Sequence, residues 1–385
     1  MVYRTLTPTK SNSFFLFGPR GSGKTTLIKT LFTPDGALFI DLLDPVEEDL
    51  FLRDPGELEQ RARLIKGKKR WIVIDEIQKL PRLLDVVHRL IENEGFLCAL
   101  TGSSARKLKR GASNLLAGRA FVYHLHPFTH RELGDRFDLG QALNWGTLPK
   151  VMEFTDSEDR RRFLQAYALT YLKEEVIVEQ LVRNLQPFRS FLEIAAQMNG
   201  RIINYSKIAD DVGVDTKTIQ SYFSILEDTL IGFILPAFHR SVRKQQRASP
   251  KFFFFDTGVR RALQRTTGGE LQEGTYGYGD AFEHFIILEL IRLNHYRNTE
   301  WTFSYLQTKD NAEIDLLIDR PSLPLALVEI KSATHVTDRE VATLNRFVDD
   351  LAPCEAFCLS RDQNEKQIGS VQCFHWQKGI VQLGL

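Results

Sequence analysis

Gly18-Pro19-Arg20-Gly21-Ser22-Gly23-Lys24-Thr25 is the stretch on which the fold turns. It fits G-x-x-x-x-G-K-[ST] at every fixed position, follows the apolar run Ser13–Phe17 and precedes the helix-like run Thr26–Phe32. A strand before and a helix after are the context in which this pattern forms a phosphate-cradling loop, not an incidental glycine-rich turn. The glycines let backbone N–H groups turn inward, and the helix start adds the positive end of its dipole. On this reading Gly18 through Thr25, with Thr26, surround the phosphates of ATP. Lys24 reaches the β- and γ-phosphates, and the Thr25 hydroxyl ligates Mg²⁺.

Working outward, Ala37–Asp41 reads as a second strand, and the apolar run Trp71–Ile74 ends in Asp75-Glu76. Asp75 is expected to hold Mg²⁺ through water, and Glu76 to orient the attacking water. The run Phe96–Leu100 ends in Thr101-Gly102-Ser103-Ser104. Ser103 is the chosen γ-phosphate sensor, with Thr101 a close alternative. Apolar strands alternating with helical segments predict an α/β fold with a parallel sheet and its ligand at the strand C-termini. Arg119 and Arg106 are candidates for an arginine acting across a subunit interface; surface placement is the ordinary alternative for each.

The composition fits a folded protein of several parts. The chain has 385 residues, 43% of them hydrophobic and 26% charged, with a net charge of +1. Such a balance gives no global attraction to nucleic acid, so DNA affinity must come from local patches. Cys98, Cys354, Cys358 and Cys373 lack paired metal-ligand spacing and read as thiols in a reducing cytosol. Apolar runs are too short to span a bilayer and no signal pattern opens the chain, so a cytoplasmic location is expected.

The expected divisions are an ATPase core at 1–127, a helical subdomain at 128–187, a winged helix at 188–258 and a C-terminal domain at 259–385. His124 and His126 alternate on a strand and read as satisfied strand histidines in preference to metal ligands. Asp159 to Val182 carries helically spaced aromatic residues. Further on, Phe191–Met198, then Ser206–Val212 with Ser206 as its cap, then Thr216–Asp228 form a helix-turn-helix pattern. Lys217, Gln220 and Ser221 on the third helix are placed to face a groove. Ile231–Phe238 and Lys251–Asp256 read as hairpin strands. Between them Arg240, Arg243, Lys244, Arg247 and Lys251 read as a basic wing able to lie along a phosphate backbone. A solvated charged loop, or a winged helix packed on other domains, is the alternative.

A second chemical pattern follows. Ala281–Leu290 reads as a strongly amphipathic helix with Glu283 near its start. Strands are expected at Trp301–Tyr305, Asn311–Ile318 and Leu325–Lys331. Residues 329 and 331 share a face because strand side chains alternate. A helix acid, a strand acid and E-x-K on the next strand are how PD-(D/E)xK nucleases present their site. Asp315 and Glu329 are the expected Mg²⁺ ligands, Glu283 completes the carboxylate set, and Lys331 positions or deprotonates water. The same fold also serves binding without cleavage.

At this point the chain resembles prokaryotic AAA-type, STAND-like ATPases whose C-terminal half is a domain of unknown function with a restriction-endonuclease-like core. The resemblance covers most of the chain. It rests on Gly18–Thr25, Ile72–Glu76, Leu100–Ser104, Leu116–Arg119, Phe253–Gly258, Phe282-Glu283, Glu313–Asp315 and Val328–Lys331. It implies a DNA-linked or regulatory ATPase. The leading expectation is a Mg²⁺-dependent ATPase acting on DNA, in repair, recombination-intermediate processing or defence, with a nuclease-like domain governed by nucleotide state. The alternative is a nucleotide switch or scaffold that recruits a protein partner. Homo-oligomerisation is left open.

Overall fold

Five short apolar runs make the first sheet: β1 (Ser13–Phe17), β2 (Ala37–Asp41), β3 (Trp71–Asp75), β4 (Leu97–Gly102) and β5 (Ala120–His124). The computed structural model describes residues 2–104, 116, 118–171, 182, 184–239 and 248–385. The strand order is β2-β3-β4-β1-β5 and every pairing is parallel. Parallel strands are covered on both faces, which is why β1 and β3 are apolar and buried along their length. Phe15, Ile40, Ile72, Ile74, Leu84 and Leu100 form part of the core beneath them. Because β4 lies between β1 and β3, the loops leaving all three strands open side by side. That topology brings Gly18, Asp75 and Ser103 together.

The chain forms two compact units. One comprises Met1–Leu133, Leu148–Lys150 and Asp228–Ile231; the other comprises Gly134–Thr147, Val151–Glu227 and Gly232–Leu385. Residues 188–258, apart from Asp228–Ile231, and the C-terminal sheet therefore lie within one unit.

The three helices of the helix-turn-helix pattern run Leu185–Gln197, Tyr205–Val212 and Thr216–Asp228. Two of their starts differ from expectation. Asn184 caps the first by accepting from Gln186 N, and Asn204 caps the second by accepting from Lys207 N. Ser206 is not the cap; its hydroxyl donates to Asn204 Oδ1 at 2.9 Å. Strands β6 (Gly232–Leu235) and β7 (Lys251–Phe254) form the hairpin and are shorter than expected. The helical stretch after Asp159 is seen as the helix Ser157–Ala166 and a π-helical turn, Tyr167–Tyr171; residues 172–181 lie outside the described residues.

A six-stranded sheet closes the chain. Strands β8 (Thr302–Gln307), β9 (Glu313–Asp319) and β10 (Leu325–Lys331) run antiparallel, and the helix Asp338–Leu351 returns the chain to β11 (Cys354–Ser360), parallel to β10. β12 (Lys366–Ile368) and β13 (Val371–His375) complete the order β12-β13-β11-β10-β9-β8. The helix before this sheet, Tyr276–Arg297, is not the amphipathic helix expected. His284, Phe285, Ile286, Ile287, Leu288 and Glu289 are all buried, so its middle is enclosed all round, while Tyr276, His295 and Arg297 at its ends are exposed. It packs on β10, on the helix Leu139–Trp145 and on the helix Thr257–Leu263. An enclosed helix has no solvent face to keep polar.

The Phe253–Gly258 motif is explained by packing. Asp256 caps the helix Thr257–Leu263 through Gly258 N and Val259 N, and also accepts from Thr147 N at 2.9 Å. A Cβ on Gly258 would lie 2.0 Å from Trp145 O. Among the described residues, no helix is long and apolar enough to cross a membrane.

Candidate functional site

The loop after β1 is held in the shape its glycines permit. Gly21 and Gly23 have φ of 73° and 96°, and a Cβ on Gly18 would lie 2.2 Å from Leu125 O. The helix Lys24–Leu31 starts at Gly23 with no side-chain cap, which leaves its first N–H groups for a ligand. Lys24 is buried and its Nζ donates to Gly18 O at 2.9 Å. Ser22 Oγ is buried with no hydrogen-bond partner among the described residues, while Arg20 and Thr26 are exposed. Arg4 was not foreseen: its guanidinium binds Ser22 O, stacks 4.3 Å from the Phe128 ring centroid and pairs with Glu132 at 3.1 Å.

The other strand ends complete the arrangement. Thr25 Oγ1 donates to Asp75 Oδ2 at 2.7 Å, and Thr101 Oγ1 donates to Asp75 Oδ1. Glu76 sits at φ 58°, a left-handed conformation that re-aims the chain at the end of β3. Its Oε1 lies 3.8 Å from Lys24 Nζ, and its Oε2 accepts from Ser103 Oγ at 3.2 Å. Both sensor candidates are thus engaged, Thr101 with Asp75 and Ser103 with Glu76. Sequence reasoning missed Gln78, which is buried and donates to Glu76 Oε2 and, at 3.0 Å, to Ser103 Oγ. The convergent hydroxyl, carboxylate and ammonium, with an orphaned Ser22 hydroxyl beside them, fit ATP and Mg²⁺. Arg119 pairs with Glu92, a contact of the same unit; Arg106 lies outside the described residues.

The second site lies on β9 and β10. Asp315 and Glu329 are buried, and Asp315 Oδ2 accepts from Ile330 N at 2.7 Å. Lys331 Nζ lies 2.5 Å from Glu329 Oε1, whereas the buried Glu329 Oε2 has no hydrogen-bond partner among the described residues. Burial and the Asp315 charge push Glu283 up to about 8. The same two causes push Glu329 up to about 8. Burial raises Asp315 as well, against the pull of Lys331 and the Ile330 N–H. For Lys331, burial is outweighed by Asp315 and Glu329, and the ammonium is held more firmly than usual. Among the described residues, no three His, Cys, Asp or Glu side chains are placed to hold a metal ion together.

The basic wing needs one correction. Lys251 is no wing residue: it is buried, its Nζ pairs with Glu313 and lies 5.0 Å from the Tyr305 ring centroid. Lys251 shares a strand face with Phe253, which belongs to the core that includes Leu316 and Tyr305. Arg240, Arg243, Lys244 and Arg247 lie outside the described residues. Lys217, Gln220 and Ser221 are exposed together on their helix.

Comparison with known proteins agrees with the first site. Residues 10–134 match the family model described as an AAA domain. Residues 136–270 and 278–377 match two models described as domains of unknown function, DUF8612 and DUF4143. The chain is 27% identical over 330 residues to an uncharacterized protein of Mycobacterium tuberculosis, covering 85% of this chain and 72% of that one. It is 22% identical over 362 residues to an uncharacterized protein of Methanocaldococcus jannaschii, covering 87% of this chain and 78% of that one. Domain III of the Thermotoga maritima replication initiation protein DnaA aligns with 20% identity and a TM-score of 0.28, over 44% of this chain and 84% of that chain. A Pyrococcus horikoshii STAND protein with a tetratricopeptide repeat sensor aligns with 14% identity and a TM-score of 0.22, over 74% and 47%. The family-model match over residues 10–134 supports an AAA-type P-loop domain in the N-terminal part of the chain.

Proposed function

We propose that the protein is a Mg²⁺-dependent ATPase that acts on DNA and whose C-terminal part is a nuclease-like domain governed by nucleotide state. The observation that carries the ATPase reading is the contact of Thr25 with Asp75 beside Glu76 and Lys24. Lys24 bears on the β- and γ-phosphates, Glu76 orients water, and Gln78 with Ser103 fixes the Glu76 carboxylate. Mg²⁺, when bound through Thr25 and Asp75, neutralises charge on the phosphates.

The DNA reading rests on the acid–acid–lysine order of Glu283, Asp315, Glu329 and Lys331 across a helix and two paired strands. A divalent cation on Asp315 and Glu329 supplies Lewis-acid activation of a phosphodiester. Lys331 is suited to position water and balance charge on phosphate. Arg240, Arg243, Lys244, Arg247 and Lys217 are the proposed phosphate contacts. Repair, branched-intermediate processing and defence all suit such a machine.

Two observations favour a second reading, a nucleotide switch that recruits a protein. Lys251 is buried and paired with Glu313, and Lys331 is paired with the carboxylate it would serve. In that reading the C-terminal fold binds without cleaving.

The experiment that separates them is cleavage of labelled linear and branched DNA in Mg²⁺ or Mn²⁺, with and without ATP. Wild type, Lys24→Ala and Lys331→Ala run side by side. Cleavage that disappears in Lys331→Ala and changes its ATP response in Lys24→Ala supports the nuclease reading. Absence of both cleavage and DNA binding at low salt supports the switch.

A further inference from the structure

Ser22 stands between two glycines of positive φ, Gly21 and Gly23. Glycine offers little resistance to backbone rotation, so the Ser22–Gly23 peptide turns over freely unless something restrains it. Its carbonyl is restrained: Ser22 O accepts from Arg4 Nη2. In a trans peptide the carbonyl and the N–H point in opposite directions. Anchoring Ser22 O on Arg4 therefore turns the Gly23 N–H away from Arg4.

Arg4 is itself fixed from several sides. Its Nη1 donates to Glu132 Oε2 at 3.1 Å, and its guanidinium carbon lies 4.3 Å from the Phe128 ring centroid. The Glu132 side chain is 0% exposed and also accepts from Thr5 N and Thr129 N, each at 2.9 Å. A Cβ on Gly23 would lie 3.4 Å from Arg4 Nη2 and 3.8 Å from Pro149 Cγ, so these two residues wall one side of the loop. All of them belong to the same compact unit. Three segments distant in sequence thus converge on one carbonyl of the loop, and a planar guanidinium is the group able to join them.

We infer that Arg4 is a positioning residue of the nucleotide site: it locks the Ser22–Gly23 peptide with the Gly23 N–H turned toward the phosphates. The inference rests on reading the loop as the ATP site. Arg4 touches no phosphate and acts through the Ser22 carbonyl alone. Without it the peptide samples both orientations, and a nucleotide binds only the fraction whose N–H faces it, which lowers affinity. ATP and ADP lose affinity alike, because the loop cradles phosphates common to both. Turnover of bound ATP depends on Glu76 and is retained.

The test is calorimetric binding of ATP and ADP in Mg²⁺ to the full chain, with phosphate release at saturating ATP. Wild type, Glu132→Gln and the double variant Arg4→Met/Glu132→Gln are compared. Methionine keeps an unbranched stem against Phe128, and the paired Glu132→Gln leaves no uncompensated buried charge. The double variant is expected to bind both nucleotides about tenfold more weakly than wild type, with kcat kept. Glu132→Gln alone keeps Arg4 on Ser22 O and binds as wild type does, even where its melting temperature falls. Unchanged dissociation constants in the double variant, or affinities that simply follow melting temperature across the set, overturn the inference. If the double variant does not fold, the Gly23 amide resonance of ¹⁵N-glycine-labelled wild type decides. One sharp line without nucleotide supports the lock, and a doubled or exchange-broadened line overturns it. Wild type that binds neither nucleotide is a different failure: it removes the ATP reading of the loop and this inference with it.

Discussion

The two sites treat their carboxylates in opposite ways. Asp75 and Glu76 are hydrogen-bonded by neutral donors, the Thr25 and Thr101 hydroxyls on one and the Ser103 hydroxyl and Gln78 amide on the other, with the Lys24 ammonium 3.8 Å from Glu76. Glu283, Asp315 and Glu329 crowd one another, and burial pushes all three up. The first site is poised for a ligand that brings phosphate charge and its own counter-ion. The second stores an imbalance that a cation or a proton must relieve. The first is a P-loop arrangement of neutral donors and one ammonium; the second is a buried carboxylate cluster whose pKa values stand above the usual range.

The largest expected effect breaks the first site alone. Lys24→Ala lowers ATP turnover by about 100-fold or more, measured as phosphate release, and leaves Mn²⁺ binding at the second site unchanged. Loss of both together would show that the two sites are not independent.

Next comes the contrast in charge. Because Glu283 and Glu329 titrate at about 8, a bound cation must displace a proton below that pH. Mn²⁺ affinity at the second site then falls by about tenfold per pH unit below 8 for each proton displaced. Glu283→Gln flattens the profile. A flat wild-type profile from pH 6 to 8 removes the proposed imbalance.

A smaller effect sharpens the account of Glu76. Gln78→Leu removes the amide that fixes Glu76 and lowers kcat by about tenfold with the ATP Kd unchanged. A weakened Kd with normal kcat would place Gln78 in binding instead of water orientation.

The smallest effect concerns His284. It is buried, with Nε2 2.6 Å from Phe254 O, and burial holds its pKa well below the usual value. Above the unfolded pKa of about 6.5 both states are neutral and stability is unaffected. As pH falls below that value the unfolded chain takes up a proton the native chain cannot hold, so stability falls. Over that range wild type loses up to about 1.4 kcal/mol per pH unit relative to His284→Gln. Denaturant midpoints at pH 5 and 8 give the difference, and parallel profiles would contradict it.

The first site was legible because a local motif fixes it. β1, β2 and β10 have the bounds expected from the sequence, and Gly18–Thr25 carries its own context. Most of the misses share a cause: they depend on a partner distant in the chain. Gln78 follows Glu76 by two positions, yet its value lies in reaching Ser103 on another strand. Lys251 was counted with its basic neighbours, although its alternation with Phe253 marked an inward face. Asn184 and Asn204 were readable as caps, but helix periodicity drew attention to the apolar residues after them. The Ala281–Leu290 run reads as amphipathic because Glu283, His284 and Glu289 interrupt its apolar residues. Arg292, just beyond that run, reaches Phe255 O and Thr147 inside the fold.

The central claim is that ATP is hydrolysed at the P-loop and that DNA acts on that hydrolysis. ATP turnover of wild type, Lys24→Ala and Glu76→Gln, with and without branched DNA and at rising salt, tests it most directly. The account predicts turnover in wild type alone, raised by DNA and losing that increase as salt screens phosphate contacts. Normal turnover in Lys24→Ala, or a wild-type rate indifferent to DNA at low salt, would contradict it.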